Sequence, residues 1–353
     1  MLSNDICKHV LTVGCLYNPP KGGVAQVMYT YSKEVYPFFR CVINSGNGGL
    51  VSNSFRAVLG LVNMFFVLCF NSQLRIVHIH TASYRSFQRS TWFVKLAKIM
   101  DRKVVLHIHG GGFKNYYKTK PEWVLKNLKQ ADCIIALTEE WKLFFAEELS
   151  LHNVVIVQNI IPKPRIRIIE GKDNRIHLLF LGAINEQKGI FDLLEVINEE
   201  KTKWAGRLYL HIGGNQEVNR MQAYINDNEL DNIVKYEGWV DGDKKIDMLN
   251  LMDAFILPSY IEGLPISILE ALSYGKPVIT TPVGGIPAII NESNGFLFEQ
   301  GDKEALKYIL TNILSNTSLI KDKTKAAKES VVGFFPESIS QKLNSVYCTL
   351  LYD

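Results

Sequence analysis

The chain has 353 residues, of which 47% are hydrophobic and 21% are charged. This is an ordinary globular composition, which excludes a disordered or fibrous protein, and the length suits two α/β domains better than one core. The charge is unevenly divided: residues 1–165 carry 20 Lys and Arg against 9 Asp and Glu, whereas residues 166–353 carry 19 against 26.

The basic first half narrows the classes of partner. No RNA- or DNA-binding motif accompanies the charge, so we expect no nucleic acid. An anionic membrane surface explains the basic half better than nucleic acid does, because each cation near such a surface contributes about 1 kcal/mol to binding. The alternative is a basic face that has no partner. Cysteines without CxxC spacing disfavour a zinc or disulfide framework and favour the reducing cytosol.

No targeting or membrane-spanning segment is expected. The N-terminus lacks the basic-then-apolar pattern of a signal peptide, and the most apolar stretch, residues 57–70, is too short to cross a bilayer. The helix predicted over residues 55–70 is apolar almost all round, which usually marks a buried helix; a lesser alternative has Phe65 and Phe66 facing lipid. We predict a cytoplasmic protein that binds peripherally to the inner face of the plasma membrane.

In chain order, the first half predicts a Rossmann-like domain. A short strand over residues 10–13 leads into Gly22 and Gly23, a turn that is compatible with phosphate but is as readily a simple tight turn. A proline- and charge-rich segment over residues 162–172 predicts the linker to the second domain.

Two predicted strands of the first half carry histidines two residues apart: His78 and His80, then His107 and His109. Each pair lies on one face near the carboxyl end of a parallel strand, where open α/β sheets bind ligands. No carboxylate or cysteine completes a set of metal ligands, so we predict no metal. His109, followed by three glycines, is the candidate hydrogen-bonding group.

The second half opens with a strand over residues 177–182 and a loop that contains Lys188, a point charge suited to a diphosphate. Trp239 follows a later strand and is a candidate core residue. Asp241 and Asp243 spell the metal-binding DxD pattern. Because a helix follows directly, we predict that Asp241 or Asp243 is its N-cap and that the pair does not bind a metal.

The most informative stretch is residues 257–290. It predicts a strand, a polar loop, a helix opened by Pro265 and stopped at Gly275, and a second buried strand. The helix N-terminus favours phosphate. Glu262 precedes it and Glu270 lies about 7.5 Å along its axis, so the pair would accept hydrogen bonds from hydroxyls on either side of a diphosphate, as a nucleotide sugar presents them. Either glutamate alone is equally a capping or solvated acid.

This stretch resembles the E-x7-E signature of the retaining GT-B glycosyltransferases of family 4. The residues that match are Pro258, Ser259, Glu262, Gly263, Glu270, Ala271, Gly275, Pro277 and Val278. The resemblance implies an α/β GT-B fold with two Rossmann-like domains facing across a cleft. Residues 1–165 would form the acceptor-side domain and residues 172–335 the nucleotide-sugar domain, while the final helix, about 336–353, would pack back on the first.

The resemblance also implies roles. Glu270 would bind ribose, Glu262 the sugar hydroxyls and Lys188 the diphosphate, while His109 would position the sugar. Trp239 would contact the nucleotide base, as the alternative to a place in the core. The implied catalytic residues are His109, Glu262 and Lys188. The implied donor-binding residues are Gly23, Gly182, Lys188, Trp239, Glu262, Gly263, Leu264, Pro265, Ile266 and Glu270. His80 and Arg85 are weaker acceptor-site candidates.

The expected activity is metal-independent, retaining transfer of a hexosyl-type sugar, with no cofactor and with a UDP-sugar favoured as donor. The acceptor would be lipid-linked or an oligosaccharide in capsule, O-antigen or exopolysaccharide synthesis. Two positions depart from the family: Ala183 replaces the usual arginine and Ala288 a frequent glutamate. The alternatives are a GT-B sugar-nucleotide epimerase and a non-catalytic GT-B partner subunit.

Overall fold

A computed structural model describes residues 1–46 and 48–352, which form two compact units. Unit 1 comprises residues 1–162 and the chain from residue 333 onward, and unit 2 comprises residues 163–332. Each unit is built on a six-stranded sheet whose paired strands are parallel. The predicted pair of Rossmann-like domains is therefore confirmed.

The sheet of unit 1 has the order β2-β1-β3-β4-β5-β6. Its strands are β1 (Val10–Cys15), β2 (Cys41–Ser45), β3 (Ile76–Thr81), β4 (Lys103–Ile108), β5 (Cys133–Ala136) and β6 (Val154–Ile156). The central strands β3 and β5 are buried along their whole length, as expected where helices cover both faces of a parallel sheet. The carboxyl ends of β3 and β4 therefore bring their histidines together.

Helices connect these strands. They are α1 (Asn4–Cys7), α2 (Gly23–Thr30), α3 (Leu50–Phe70), α4 (Arg85–Ile99), α5 (Phe113–Thr119), α6 (Pro121–Leu128) and α7 (Glu139–Leu143), with π-helical turns over Tyr31–Val35 and Phe144–Glu148. The prediction for α3 was wrong in two respects: it has 21 residues, and most of its apolar side chains are exposed. Within the described residues, it alone is long and apolar enough to cross a membrane on length and composition.

The sheet of unit 2 has the order β12-β11-β10-β7-β8-β9, in which the chain starts in the middle and reverses direction once. Its strands are β7 (Ile176–Leu181), β8 (Leu208–Gly213), β9 (Val234–Gly238), β10 (Ala254–Leu257), β11 (Val278–Thr280) and β12 (Gly295–Leu297). Its helices are α8 (Ile190–Trp204), α9 (Val218–Asp227), α10 (Gly242–Leu251), α11 (Ile266–Ser273), α12 (Lys303–Ser315) and α13 (Ser318–Glu329), with 3-10 turns over Glu186–Lys188 and Ile286–Ala288.

The chain returns to unit 1 through a 3-10 turn over Val332–Phe334 and ends in α14 (Pro336–Tyr352). Tyr347 of α14 is fully buried, and its hydroxyl lies 2.5 Å from both Nδ1 of His78 and the hydroxyl of Tyr36. Residue 353, included in the predicted final helix, lies outside the described residues.

The segment predicted as a linker over residues 162–172 packs on unit 2. The backbone amide of Arg165 donates to the hydroxyl of Tyr274, and the guanidinium of Arg167 binds Asp243 and Asp247 at 2.7 and 2.8 Å. These contacts explain why unit 2 begins at residue 163 rather than at residue 172.

Candidate functional site

The candidate donor site lies at the carboxyl edge of the sheet in unit 2. β7 pairs with β8 on one side and with β10 on the other, so the chain order reverses between β7 and β10. Open α/β sheets bind ligands in the crevice at this point. The loop after β7 carries Gly182 and Lys188, and the loop after β10 runs from Pro258 to Pro265, directly ahead of α11.

Lys188 and Glu262 join these two loops. Nζ of Lys188 lies 2.5 Å from Oε1 of Glu262, and the hydroxyl of Ser259 donates to the same oxygen at 2.7 Å. Glu262 is only 8% exposed, whereas Lys188 keeps about a quarter of its side chain accessible. The structure thus brings together Glu262, for which the resemblance implies sugar binding, and Lys188, for which it implies diphosphate binding. The opposite charges of the two side chains neutralise each other.

Two glycines allow the loops to approach this closely. Gly189 has φ 67°, and a Cβ atom there would lie 2.0 Å from the carbonyl oxygen of Pro258. Gly284 has φ 58°, and a Cβ atom there would lie 2.0 Å from the carbonyl oxygen of Glu262. Both positions therefore require glycine for the backbone angle and for space.

We expect Gly284→Ala to weaken donor binding by about tenfold or more, because the new methyl group must push the Glu262 backbone out of place. Calorimetric titration with UDP-sugars measures the change. Gly206→Ala is the matched control, since Gly206 has φ 73° but a methyl group there would meet no atom within 4 Å. Equal donor affinity in the two variants would contradict this role of Gly284.

Glu270 has a partner that the sequence did not reveal. It lies in the second turn of α11, is 6% exposed, and accepts a hydrogen bond from Nζ of Lys245 at 2.6 Å. Lys245 lies on α10, 25 residues earlier, so no local spacing rule connects the two. The only sequence signal was a lysine in the first turn of a helix that follows the Trp239 loop.

Trp239 and Asp241 form a second contact of this region. Trp239 is 40% exposed, which excludes the core alternative, and its indole N–H donates to the carboxylate of Asp241 at 3.0 Å. Asp241 occupies the N-cap position of α10, but its side chain makes no capping hydrogen bond. The predicted N-cap position is therefore confirmed for Asp241, but its carboxylate binds the tryptophan and not a helix amide.

The position of the missing arginine is Ala183, just after β7. A guanidinium that contacts the loop after β7 is that of Arg220 on α9, which binds Glu186 at 2.5 Å and Glu217 at 2.8 Å. Arg220 also stacks over the ring of Phe191 at 3.8 Å. Lys245 and Arg220 are thus two additional cations in this unit, and each is held by a carboxylate.

The first turn of α11 supplies backbone donors. Pro265 takes the cap position, so the helix begins at Ile266, and helix geometry leaves its first amides without partners inside the helix. Leu264, Pro265 and Ile266 are all buried, so the loop is fixed by its apolar side chains. The amide of Gly285 donates to the carbonyl of Gly263 at 2.6 Å and closes the loop from the other side.

In unit 1, the four histidines form one cluster. Nε2 of His78 lies 3.3 Å from Nδ1 of His107, and Nδ1 of His80 lies 2.9 Å from Nε2 of His109. The rings stack, with centroids 4.1 Å apart for His107 and His109 and 4.5 Å apart for His78 and His80. The predicted grouping at the ends of β3 and β4 is therefore present in unit 1.

Both ring nitrogens of His109 already have partners. Nδ1 donates to the side-chain oxygen of Asn159 at 3.2 Å, so Nε2 accepts from Nδ1 of His80. His80 is buried behind His109 and does not present the surface that an acceptor contact would need. Arg85 is exposed at the start of α4, and Gly23 is exposed at the start of α2.

The ligand atoms of His78, His80 and His107 lie within 4.8 Å of one another, which is close enough to consider a metal. A metal ion lies in the plane of each imidazole that binds it. The rings of His78 and His80 are stacked at 21°, and Nε2 of His78 lies at hydrogen-bond distance, 3.3 Å, from Nδ1 of His107. This geometry favours a packed hydrogen-bonded cluster.

Burial keeps this cluster neutral. It lowers the pKa of His78 to about 3 and that of His109 to about 4, and it lowers the pKa values of His80 and His107 well below their usual range. His109 thus acts as a neutral hydrogen-bonding group at physiological pH. The neutral ring can donate or accept, but it does not supply a positive charge.

The buried histidines predict that the protein loses stability in acid. Below pH 6.5 the unfolded chain binds protons that the folded cluster refuses, so the free energy of unfolding falls by up to about 1.4 kcal/mol per pH unit for each histidine. Urea unfolding between pH 7 and pH 5 measures the slope. His80→Phe should reduce the slope, and His152→Gln, at an exposed position, should not. The same slope in wild type and His80→Phe would contradict the attribution of the acid sensitivity to the buried histidines.

Comparison with known proteins agrees with this architecture. The family described as "Glycosyl transferases group 1" matches residues 162–330. The protein named "Putative colanic acid biosynthesis glycosyltransferase WcaL" of Salmonella typhimurium is 23% identical over 52% of this chain and 48% of its own length. A 41.2 kDa protein of the cps region of Klebsiella pneumoniae, itself uncharacterized, is 27% identical over 80% of this chain and 85% of its own length.

The solved structure of Anabaena HepE in complex with UDP and glucose has a similar fold, with a TM-score of 0.76 at 13% identity over 97% of this chain and 99% of that chain. The chain spans about half the length of WcaL but nearly all of HepE. The two parallel-sheet units and the matched region together confirm the predicted α/β GT-B fold. Residues 162–330 of this chain are thus similar to the glycosyl transferases group 1 family, within an α/β GT-B fold.

Proposed function

We propose that the chain transfers a sugar from a nucleotide-sugar donor to a lipid-linked or oligosaccharide acceptor, with retention of the anomeric configuration. The observation that carries the proposal is the pair of ion pairs around α11: Lys188 with Glu262 at 2.5 Å and Lys245 with Glu270 at 2.6 Å. Each places a carboxylate that can accept hydroxyl hydrogen bonds beside a cation that can bind a phosphate oxygen.

In the proposed reaction, the diphosphate replaces Glu262 as the partner of Lys188. Glu262 then accepts hydrogen bonds from the donor sugar and Glu270 accepts them from the ribose. The bond between the anomeric carbon and the phosphate oxygen breaks, the acceptor oxygen bonds to the same face of that carbon, and its proton passes to the departing phosphate. Lys188 and the first amides of α11 stabilise the charge that develops on the phosphate.

His109 of unit 1 is proposed to hold the donor sugar by a hydrogen bond. Both of its nitrogens are occupied, so the sugar would take the place of one partner. Because the ring is neutral, it can donate to or accept from a sugar hydroxyl in this exchange. No metal and no cofactor besides the nucleotide sugar is proposed.

The proposed setting is the synthesis of a surface polysaccharide, at the cytoplasmic face of the plasma membrane. Support comes from the relatives: WcaL is named for colanic acid biosynthesis, and the Klebsiella protein for a cps region. HepE was solved with UDP and glucose, which favours a UDP-sugar as donor. The basic N-terminal half supports an anionic membrane surface as partner.

The test is to incubate the protein with single UDP-sugars and a lipid extract of the source cells, and to follow both UDP release and the product. Transfer to lipid with the anomeric configuration of the donor, shown by NMR of the product, is the expected result. Inversion would overturn the retaining assignment. Interconversion of the nucleotide sugar without acceptor would instead establish an epimerase, and no turnover of any sugar would favour a non-catalytic subunit.

A further inference from the structure

A continuous apolar surface covers the outer side of α3 and α4 in unit 1. We call it the α3–α4 face. Its exposed side chains are Leu50, Val51, Phe55, Val58, Leu59, Val62, Phe65, Phe66 and Phe70 of α3 together with Trp92 and Ile99 of α4. Apolar patches of this kind on soluble proteins mark binding surfaces, because single exposed apolar residues are common but contiguous aromatic ones are not.

The opposite side of α3 anchors the helix in unit 1. Ala57, Gly60, Met64 and Leu68 are fully buried and follow one another at helical spacing. A Cβ atom on Gly60 would lie 2.6 Å from the carbonyl oxygen of Ile43 and 3.2 Å from the ring of Phe93, so α3 touches the β2 backbone directly. The helix is thus a fixed connection of the sheet that exposes one apolar side, and crossing a bilayer would require this packing to be lost.

A groove runs between the two helices. It is lined by Leu61, Val62, Phe65, Phe66, Trp92, Lys95, Leu96 and Ile99, and its walls are almost entirely apolar. Phe65 and Phe66 pack edge to face with ring centroids 5.6 Å apart, and Phe66 stacks on Phe70 at 6.3 Å. The aromatic side chains are therefore held by one another in their exposed positions.

The charged residues around this surface are almost all cationic. Residues 50–120 contain eleven Lys and Arg and a single acidic residue, Asp101. Arg56 on α3 and Lys95 on α4 are exposed beside the apolar side chains. An apolar helix side bordered by cations fits the boundary between headgroups and acyl chains of an anionic leaflet, where aromatic rings enter the apolar region and cations meet lipid phosphates.

We propose that the α3–α4 face is a membrane-docking surface, on which α3 lies parallel to an anionic leaflet with Phe65, Phe66 and Trp92 inserted. A second copy of the chain fits this surface less well. Two copies would bring the same cations together with no carboxylate within residues 50–100 to pair with them. This inference deepens the proposed function and rests on its membrane partner, but docking is measured without donor or acceptor, so its failure is distinguishable from failure of the transfer reaction.

The test is flotation of the purified full chain with vesicles of phosphatidylcholine alone and of phosphatidylcholine with about 30% phosphatidylglycerol. Wild type should bind the anionic vesicles, less strongly at high salt. Phe65→Gln with Phe66→Gln should lower the partition coefficient by about tenfold or more. Arg56→Glu with Lys95→Glu should lower it by a similar factor. Both pairs are exposed, so the variants should keep the circular dichroism and thermal midpoint of the wild type.

The matched control is Tyr308→Gln, which changes an even more exposed aromatic residue on α12 of unit 2 and should leave binding unchanged. A second readout is quenching of tryptophan fluorescence by brominated lipid, which Trp92→Phe should largely abolish. Unchanged binding in the Phe65 and Phe66 variant would overturn the proposal. So would a wild-type dimer that ignores vesicles and dissociates in that variant, which would assign the surface to a second copy.

Discussion

Replacing Lys188 with methionine is expected to lower turnover by about 10²- to 10³-fold, the usual loss when one preorganised donor to a developing negative charge is removed. Lys188 is the cation that the structure places at the junction of the loops after β7 and β10. We expect no compensation from position 183, because Ala183 supplies no second charge. Steady-state kinetics of UDP release measures it.

A loss of this size has a rival explanation in folding, since Lys188→Met leaves the buried carboxylate of Glu262 without its cation. The double variant Lys188→Met with Glu262→Gln separates the two. It removes the unpaired charge, so the free energy of urea unfolding should return toward that of the wild type, while turnover stays low. Wild-type turnover in Lys188→Met, or recovery of turnover in the double variant, would contradict the assignment of Lys188 to the phosphate.

The substitution Glu270→Gln is expected to weaken UDP-sugar binding by about 10- to 100-fold. Hydrogen bonds to a charged group contribute about 1.5–3 kcal/mol, and the ribose hydroxyls would lose a carboxylate acceptor. The side chain is 6% exposed and fixed by Lys245, so the acceptor is held in place before the donor binds. Calorimetric titration with UDP and with the UDP-sugar gives the change in dissociation constant.

A purely structural role for the Glu270 and Lys245 pair predicts a different pattern. In that case Lys245→Met and Glu270→Gln would each weaken binding through the loss of stability, and the combined variant would recover both stability and binding. If Glu270 binds the ribose, the combined variant recovers stability but still binds donor weakly. Full recovery of donor affinity in the combined variant would therefore refute the ribose assignment.

The most predictable part of the fold is the segment that runs from β10 through α11 to β11. Its signals are local: an apolar strand, Pro265 ahead of the helix, and Gly275 with φ 74° after it. The meeting of Lys188 with Glu262 also follows from topology, because loops after neighbouring parallel strands share one edge of the sheet. The same reasoning placed each histidine pair near the carboxyl end of its own strand.

Other features depend on contacts between distant parts of the chain, which periodicity does not encode. Lys245 reaches Glu270 from another helix, 25 residues away in the chain. The burial of α3 was predicted wrongly for a related reason: a helix that is apolar all round fits a buried position or a docking surface equally well. Only the sheet order shows that α3 has one side against β2 and one side uncovered.

The central claim is that unit 2 binds a nucleotide sugar through Lys188, Glu262 and Glu270. The most direct measurement is a thermal-shift and calorimetric screen of the folded protein against UDP-, GDP-, ADP-, CMP- and dTDP-sugars. The account predicts that a UDP-sugar binds, with a stabilisation of about 2.7 kcal/mol at 100 times its dissociation constant, and that Lys188→Met and Glu270→Gln weaken that binding. The account would be contradicted if the folded wild type bound no nucleotide sugar, or if both variants bound the donor as tightly as the wild type.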